Sequence, residues 1–308
     1  MKPTSNNKDT VYFSLEPCMS NMGGHDPDKY WVHFQQYAIH DFSPNSIIED
    51  LSMGHAVFVE KANALFNKHN IKVPAGYPAN VHINSALYKS MGRQVVFYPW
   101  NEFTLCVYCC IIIEEQYGKD VSKIIQKELM EPNSRSGILH ASSMASIALF
   151  YLKNGSSVVI PYEQDYQKNP DLVIDNFDCE VKVIDESDWT ANIDQCTGKG
   201  KQRSLSEDIC YDVGQFISKK DSGHKGIRQS DVIFANLSLK SFGLIESMLG
   251  TKNDIFPDLR KCRIIYFAKR LTELLGFYLD FDPSLWNLIK TTDKKYSFGI
   301  YPPPKRST

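Results

Sequence analysis

The sequence predicts an α/β protein with a mixed central sheet flanked by helices, preceded by a mainly helical N-terminal region. Three observations carry this. Apolar groups between residues 31 and 72 recur at helical intervals, as in AVFVEKANALFNKHN. Beyond residue 138 short β-branched runs such as SVVIPY, CEVKVI, DVIFANL and RIIYFAK alternate with longer amphipathic stretches. Between the two patterns lies MEPNSRSG, residues 130–137, whose Pro, Asn, Ser and Gly mark a boundary. A chain of 308 residues has room for two domains, read here as 1–132, an accessory helical region, and 133–308, an α/β domain with a C-terminal extension.

Taken in order, residues 1–30 are polar and rich in Asn, Gly, Asp and Pro, the grammar of a loop. Helical spacing follows to residue 72, then the break VPAGYPAN. The segment 81–98 is ambiguous, with QVVFY readable as a short strand, and residues 102–129 read as helix. Past the boundary, ILHASSMASIALFYLKN (138–154) is an amphipathic to buried helix stopped by Gly155. SVVIPY is the first strand, PDLVID the second, and CEVKVI the third, with Asn176-Phe177-Asp178 as the turn between the last two. Residues 203–218 read as helix, DVIFANL as a fourth strand, FGLIESMLG as a short helix and RIIYFAK as a fifth strand.

Several function classes fall away. Lys+Arg total 34 against Asp+Glu 36, so a nucleic-acid partner must be held by a local patch or through metal ions. The apolar run VVFYPWNEFTLCVYCCIII is interrupted by Pro, Asn and Glu, which makes it a buried element and not a membrane span. The polar opening MKPTSNNKDT does not read as a signal peptide, and the expected location is cytoplasmic. Of the 8 cysteines, Cys106, Cys109, Cys110, Cys179 and Cys262 lie in apolar runs, where reduced thiols pack as small hydrophobes. Cys106-x-x-Cys109 has no second pair at zinc-site spacing, so packing is preferred to metal or redox chemistry. Walker, Gly-x-Gly-x-x-Gly, Gly-x-Ser-x-Gly and His-Glu-x-x-His patterns are all missing.

The informative segment is Pro170-Asp171-Leu-Val-Ile-Asp175 followed by Cys179-Glu180-Val181-Lys182. Glu180 and Lys182 share one face of a strand whose other face carries Val181 and Val183. Charges are seldom set between hydrophobes in a sheet unless they are paired or bind a metal. Pro27-Asp28 and Pro257-Asp258 are not followed by an acid-x-Lys triplet in such a run. For the three groups to act together, Asp171 must reach the same face, which a regular hairpin allows with a two- or four-residue connection, pairing Asn176 with Cys179 or Asp175 with Glu180.

Over roughly residues 137–270 this pattern resembles the PD-(D/E)xK nuclease superfamily. The resemblance implies a restriction-endonuclease-like core and a metal-dependent nuclease or endonuclease. It implies Asp171 and Glu180 as ligands of Mg²⁺ or Mn²⁺, the Val181 carbonyl as a further ligand, and Lys182 as a water-orienting or charge-stabilising group. Two carboxylates suit hard cations, which polarise phosphate and acidify bound water. Many members carry a glutamate on the preceding helix; 138–154 has no acid and would show Ser142, Ser143 or His140 there, with Glu131 and Glu163 the nearest acids.

Lys199, Lys201, Gln202 and Arg203, then Lys219, Lys220, His224, Lys225 and Arg228, could track a phosphate backbone or lie in solvated loops. Tyr166 and Trp189 could stack on bases. Asp175 and Asp178 are read as turn residues, and His140 as a satisfied helix residue more than a general base. Asp171, Glu180 and Lys182 are read as catalytic, against a structural ion-pair network as the alternative. The leading expectation is a nuclease acting on DNA or RNA, with a homodimer favoured for double-strand cleavage. The other reading is a silent scaffold that binds nucleic acid or protein.

Overall fold

A computed structural model describes residues 53–73, 94–130, 135–162, 170–183, 231–237, 264–270 and 273–278. Its helices are α1 (His55–Lys68), α2 (Gln94–Tyr117) and α3 (Arg135–Lys153), with a π-helical segment, Lys123–Leu129, between α2 and α3. Its strands are β1 (Val158–Val159), β2 (Leu172–Ile174), β3 (Phe177–Val183), β4 (Val232–Leu237), β5 (Ile264–Arg270) and β6 (Glu273–Tyr278).

The strand reading of QVVFY is corrected: Gln94–Tyr98 belong to α2. Two valines and two aromatics favour a strand locally, but a five-residue preference is weak. Extending a helix already formed over the buried stretch that follows requires no new nucleation. The continuous helix expected to residue 129 is interrupted after Tyr117, where Gly118 (φ +63°) turns the chain and the Lys119 amide donates to the Ile113 carbonyl at 3.3 Å. Helix α3 ends in the same way at Gly155 (φ +80°), as its sequence led us to expect. The Gly155 amide donates to Leu152 and the Ser156 amide to Tyr151, both at 3.0 Å.

Helix α3 lies at the centre. It packs against α2 and the π-helical segment on one side and against β1, β2 and β3 on the other, while α1 packs on α2. Every residue from Ala141 to Leu152 is consequently buried, as a helix enclosed on all sides must be. Two of its buried hydroxyls find partners in neighbouring elements: Ser142 donates to Glu102 of α2 at 2.6 Å, and Ser143 accepts from Asn236 of β4 at 2.7 Å, whereas Ser146 Oγ is buried with no hydrogen-bond partner among the described residues. Tyr151 meets Phe234 edge-on with ring centroids 6.0 Å apart, and Phe234 meets Phe267 at 6.4 Å, which ties α3 to β4 and β5. One hydrophobic cluster runs from Phe58 through α2 and α3 to Phe267.

Among the described residues the strands form one six-stranded mixed sheet in the order β1-β2-β3-β4-β5-β6. β2 runs antiparallel to both β1 and β3, β3, β4 and β5 run parallel, and β6 returns antiparallel to β5. Val232 to Asn236 of β4 is buried on both faces, as expected of an interior parallel strand. The α/β class and the mixed sheet match the sequence reading.

Candidate active site

The site is built at the open end of the β2–β3 hairpin. Asp175 and Asn176, with φ of +49° and +72°, form its two-residue turn, since Asp and Asn tolerate the left-handed conformation that such turns require. The pairing is Ile174 with Phe177, Val173 with Asp178 and Leu172 with Cys179. Both anticipated pairings are therefore corrected: β3 starts earlier, and Asp178 is a strand residue whereas Asp175 does sit in the turn. The turn has an even number of residues, so Asp171 still falls opposite Glu180 when the register is extended by one residue.

One residue further, Pro170 falls opposite Val181. Proline has no amide hydrogen, so it cannot donate to the Val181 carbonyl as the ladder would demand. The released backbone groups are taken over by side chains. The Val181 amide donates to Asp171 Oδ2 at 2.8 Å, and the Val181 carbonyl accepts from His140 Nε2 of α3 at 2.8 Å. His140 Nε2 also lies 3.3 Å from Asp171 Oδ2. The Pro170 carbonyl accepts from Lys123 Nζ at 2.9 Å, with the Asp171 carbonyl 3.4 Å from the same nitrogen.

Asp171, Glu180 and Lys182 meet at this point. Lys182 Nζ is 3.7 Å from Asp171 Oδ2 and is hydrogen-bonded to Glu180 Oε2. All three side chains are half-buried or better, with exposures of 13%, 20% and 26% respectively. Cys179 and Val181 alternate with Glu180 and Lys182 along β3 and are fully buried. Burial alone would raise the Asp171 carboxyl, but the His140 bond and charge, the Lys182 ammonium and the Val181 amide outweigh it. They hold the group well below the usual carboxylate range. Burial likewise works against the Lys182 ammonium, yet the Asp171 and Glu180 charges more than offset it and raise its pKa. Lys182 is therefore a fixed cation at neutral pH, suited to steadying negative charge and not to accepting a proton.

Of the residues singled out in the sequence, Asp171, Glu180, Lys182 and the Val181 carbonyl are brought together. Lys199, Lys201, Gln202, Arg203, Lys219, Lys220, His224, Lys225 and Arg228 lie outside the described residues, as do Glu131, Glu163, Tyr166 and Trp189. Sequence reasoning missed one participant, Lys123, and named His140 only among the residues the helix would show in place of an acid. Lys123 is only 2% exposed, and the visible signal was a lysine between Val121 and the pair Ile124-Ile125. His140 is the helix-borne group that reaches Asp171, in place of an acid. A polar residue at the start of an otherwise apolar helix was its signal.

A second constellation lies at the far ends of α1 and α2. His69, Glu114 and Asp120 place one ligand atom each within 4.8 Å of one another, beside a cavity of about 420 Å³. Glu114 Oε1 is already 2.9 Å from both Lys68 Nζ and His69 Nε2, which satisfies its charge without an ion. Cys106, Cys109, Cys110 and Cys179 are free and buried, and burial pushes the Cys110 and Cys179 thiols up, in keeping with packing groups. Among the described residues no helix is long and apolar enough to cross a membrane. Comparison with protein-family models, curated proteins and solved structures finds no match.

Proposed function

We propose that the chain is a metal-dependent nuclease with a restriction-endonuclease-like core, hydrolysing phosphodiester bonds of DNA or RNA. The observation that carries this reading is the gathering of Asp171, Glu180 and Lys182 beside Val181, whose amide Asp171 accepts from, on a hairpin whose ladder stops at Pro170. The donor set fits the expected ion: two carboxylates and a carbonyl are hard oxygen ligands of the kind that hold Mg²⁺ or Mn²⁺. A cation bound there supplies charge neutralisation at the phosphate and a more acidic water.

The chain's own residues do the rest. His140 and the Lys182 charge keep Asp171 ionised, the Val181 amide helps and aims it, and Lys123 pins the backbone on which Asp171 rides. Lys182, cationic at neutral pH, stabilises the charge that grows on the non-bridging phosphate oxygens. The basic clusters around residues 199–203 and 219–228 would grip the backbone of the substrate.

The test is cleavage of plasmid DNA and of structured RNA in Mg²⁺ or Mn²⁺. Lys182→Ala should lower the rate by about 10²- to 10³-fold, the usual loss when a charge-stabilising group is removed. Cleavage unchanged in Lys182→Ala and Asp171→Ala would remove the assignment.

A second reading is favoured by the ion pairing itself. The Lys182 ammonium lies within reach of both carboxylates, so the network is closed without a metal. Such a site would suit a catalytically silent scaffold that binds nucleic acid or protein. No cleavage, with nucleic-acid binding retained, is its expected signature.

A further inference from the structure

Resting on the nuclease reading above, we infer that His140 is a metal ligand of the Asp171 site, and that the site therefore takes a transition-metal dication in preference to Mg²⁺. The inference comes from where the imidazole stands. His140 Nε2 is 2.8 Å from the Val181 carbonyl and 3.3 Å from Asp171 Oδ2, the same two oxygens that the nuclease reading assigns to a cation. Neighbouring ligands at right angles on an ion with bonds of about 2.1 Å are about 3.0 Å apart. The imidazole nitrogen thus already stands at coordination-sphere spacing from each of the two oxygens, bridged to them at present by the Nε2 proton.

The placement is built into the fold. His140 is on α3, whose following residues are buried without a break from Ala141 to Leu152, so the ring's origin is fixed by the core. The ring is itself only 17% exposed. Pro170 is what leaves the Val181 carbonyl available to it. Ligation uses the tautomer with its proton on Nδ1, leaving the Nε2 lone pair for the ion.

A nitrogen donor changes which ion is preferred. Mg²⁺ favours all-oxygen octahedra, whereas imidazole suits Mn²⁺ less well than Co²⁺, Ni²⁺ or Zn²⁺ but better than it suits Mg²⁺. The 308-residue chain should then bind Co²⁺ and Mn²⁺ more tightly than Mg²⁺, and His140→Glu should shift that selectivity toward Mg²⁺ by about tenfold or more.

The decisive experiment is pulsed EPR of the Mn²⁺-loaded protein, read for coupling to an imidazole nitrogen, together with calorimetric titrations of Co²⁺ and Mg²⁺. Nitrogen coupling should be present in the native chain and in His69→Gln, and absent in His140→Gln and His140→Glu, with Mn²⁺ still bound by the His140→Glu variant. Coupling that survives in both His140 variants, or Mn²⁺ binding that needs Asp171 but shows no nitrogen in the native chain, overturns the role of His140 and leaves the nuclease reading standing. Mn²⁺ binding that is the same in Asp171→Asn as in the native chain overturns both.

Discussion

His140 of α3 donates from Nε2 to the Val181 carbonyl of β3 at 2.8 Å, in the position where a neighbouring strand would normally provide the donor. The backbone partner is missing because Pro170 falls opposite Val181. A single imino acid therefore converts the open end of the β2–β3 hairpin into a place where a carboxylate, an imidazole and an ammonium converge.

Pro170→Ala tests that account. An alanine amide can pair with the Val181 carbonyl and displace His140. The new bond and the greater freedom of the unfolded chain act in opposite directions, so stability should change by less than about 1 kcal/mol. Divalent-metal affinity should nevertheless fall, and urea unfolding alongside metal titration separates the two effects.

Asp171 should make stability depend on pH in the acid range. Its carboxyl is held below the ordinary value of 3.8 in the folded chain. The folded state therefore binds fewer protons there than the unfolded state. Its contribution is fully present above the unfolded pKa and is lost as pH falls through the folded one. Denaturant midpoints measured from pH 6 downward should drop more steeply for the native chain than for Asp171→Asn. The difference should reach about 2 kcal/mol. Parallel curves would show that the carboxylate is not paired as described.

Lys123 holds two carbonyls from a site with 2% exposure, those of Pro170 and Asp171. Lys123→Met keeps most of the packing but leaves the carbonyls without this donor. The expected loss is about 2–3 kcal/mol in chemical denaturation, larger than that of an exposed lysine, for which changes stay within about 0.5 kcal/mol.

Gly155→Ala isolates a backbone effect. A Cβ there would meet nothing within 4 Å, so the cost is that of the +80° φ alone. We expect a loss of about 1 kcal/mol in thermal or urea unfolding, with the metal site unaffected.

What could be read from the residues was local. Strands β1 to β5, the enclosed helix ending at Gly155 and the Asp171, Glu180, Lys182 pattern follow from periodicity, turn chemistry and charges set among hydrophobes. The misreadings were local too: QVVFY has the composition of a strand, and Asn176-Phe177-Asp178 that of a turn. Only packing decided them, because a helix already formed extends without a new nucleus, and because a left-handed Asp-Asn pair fits the twist of the hairpin better.

By itself, the sequence determined the α/β class and which residue types could do chemistry. The tertiary structure decided their partners. His140 and Lys123 reach Pro170, Asp171 and Val181 from 31 and 47 residues away, at the closest, along the chain. No periodicity records such contacts, since they arise from desolvated backbone groups taking whichever donor or acceptor the fold brings within 3 Å or so.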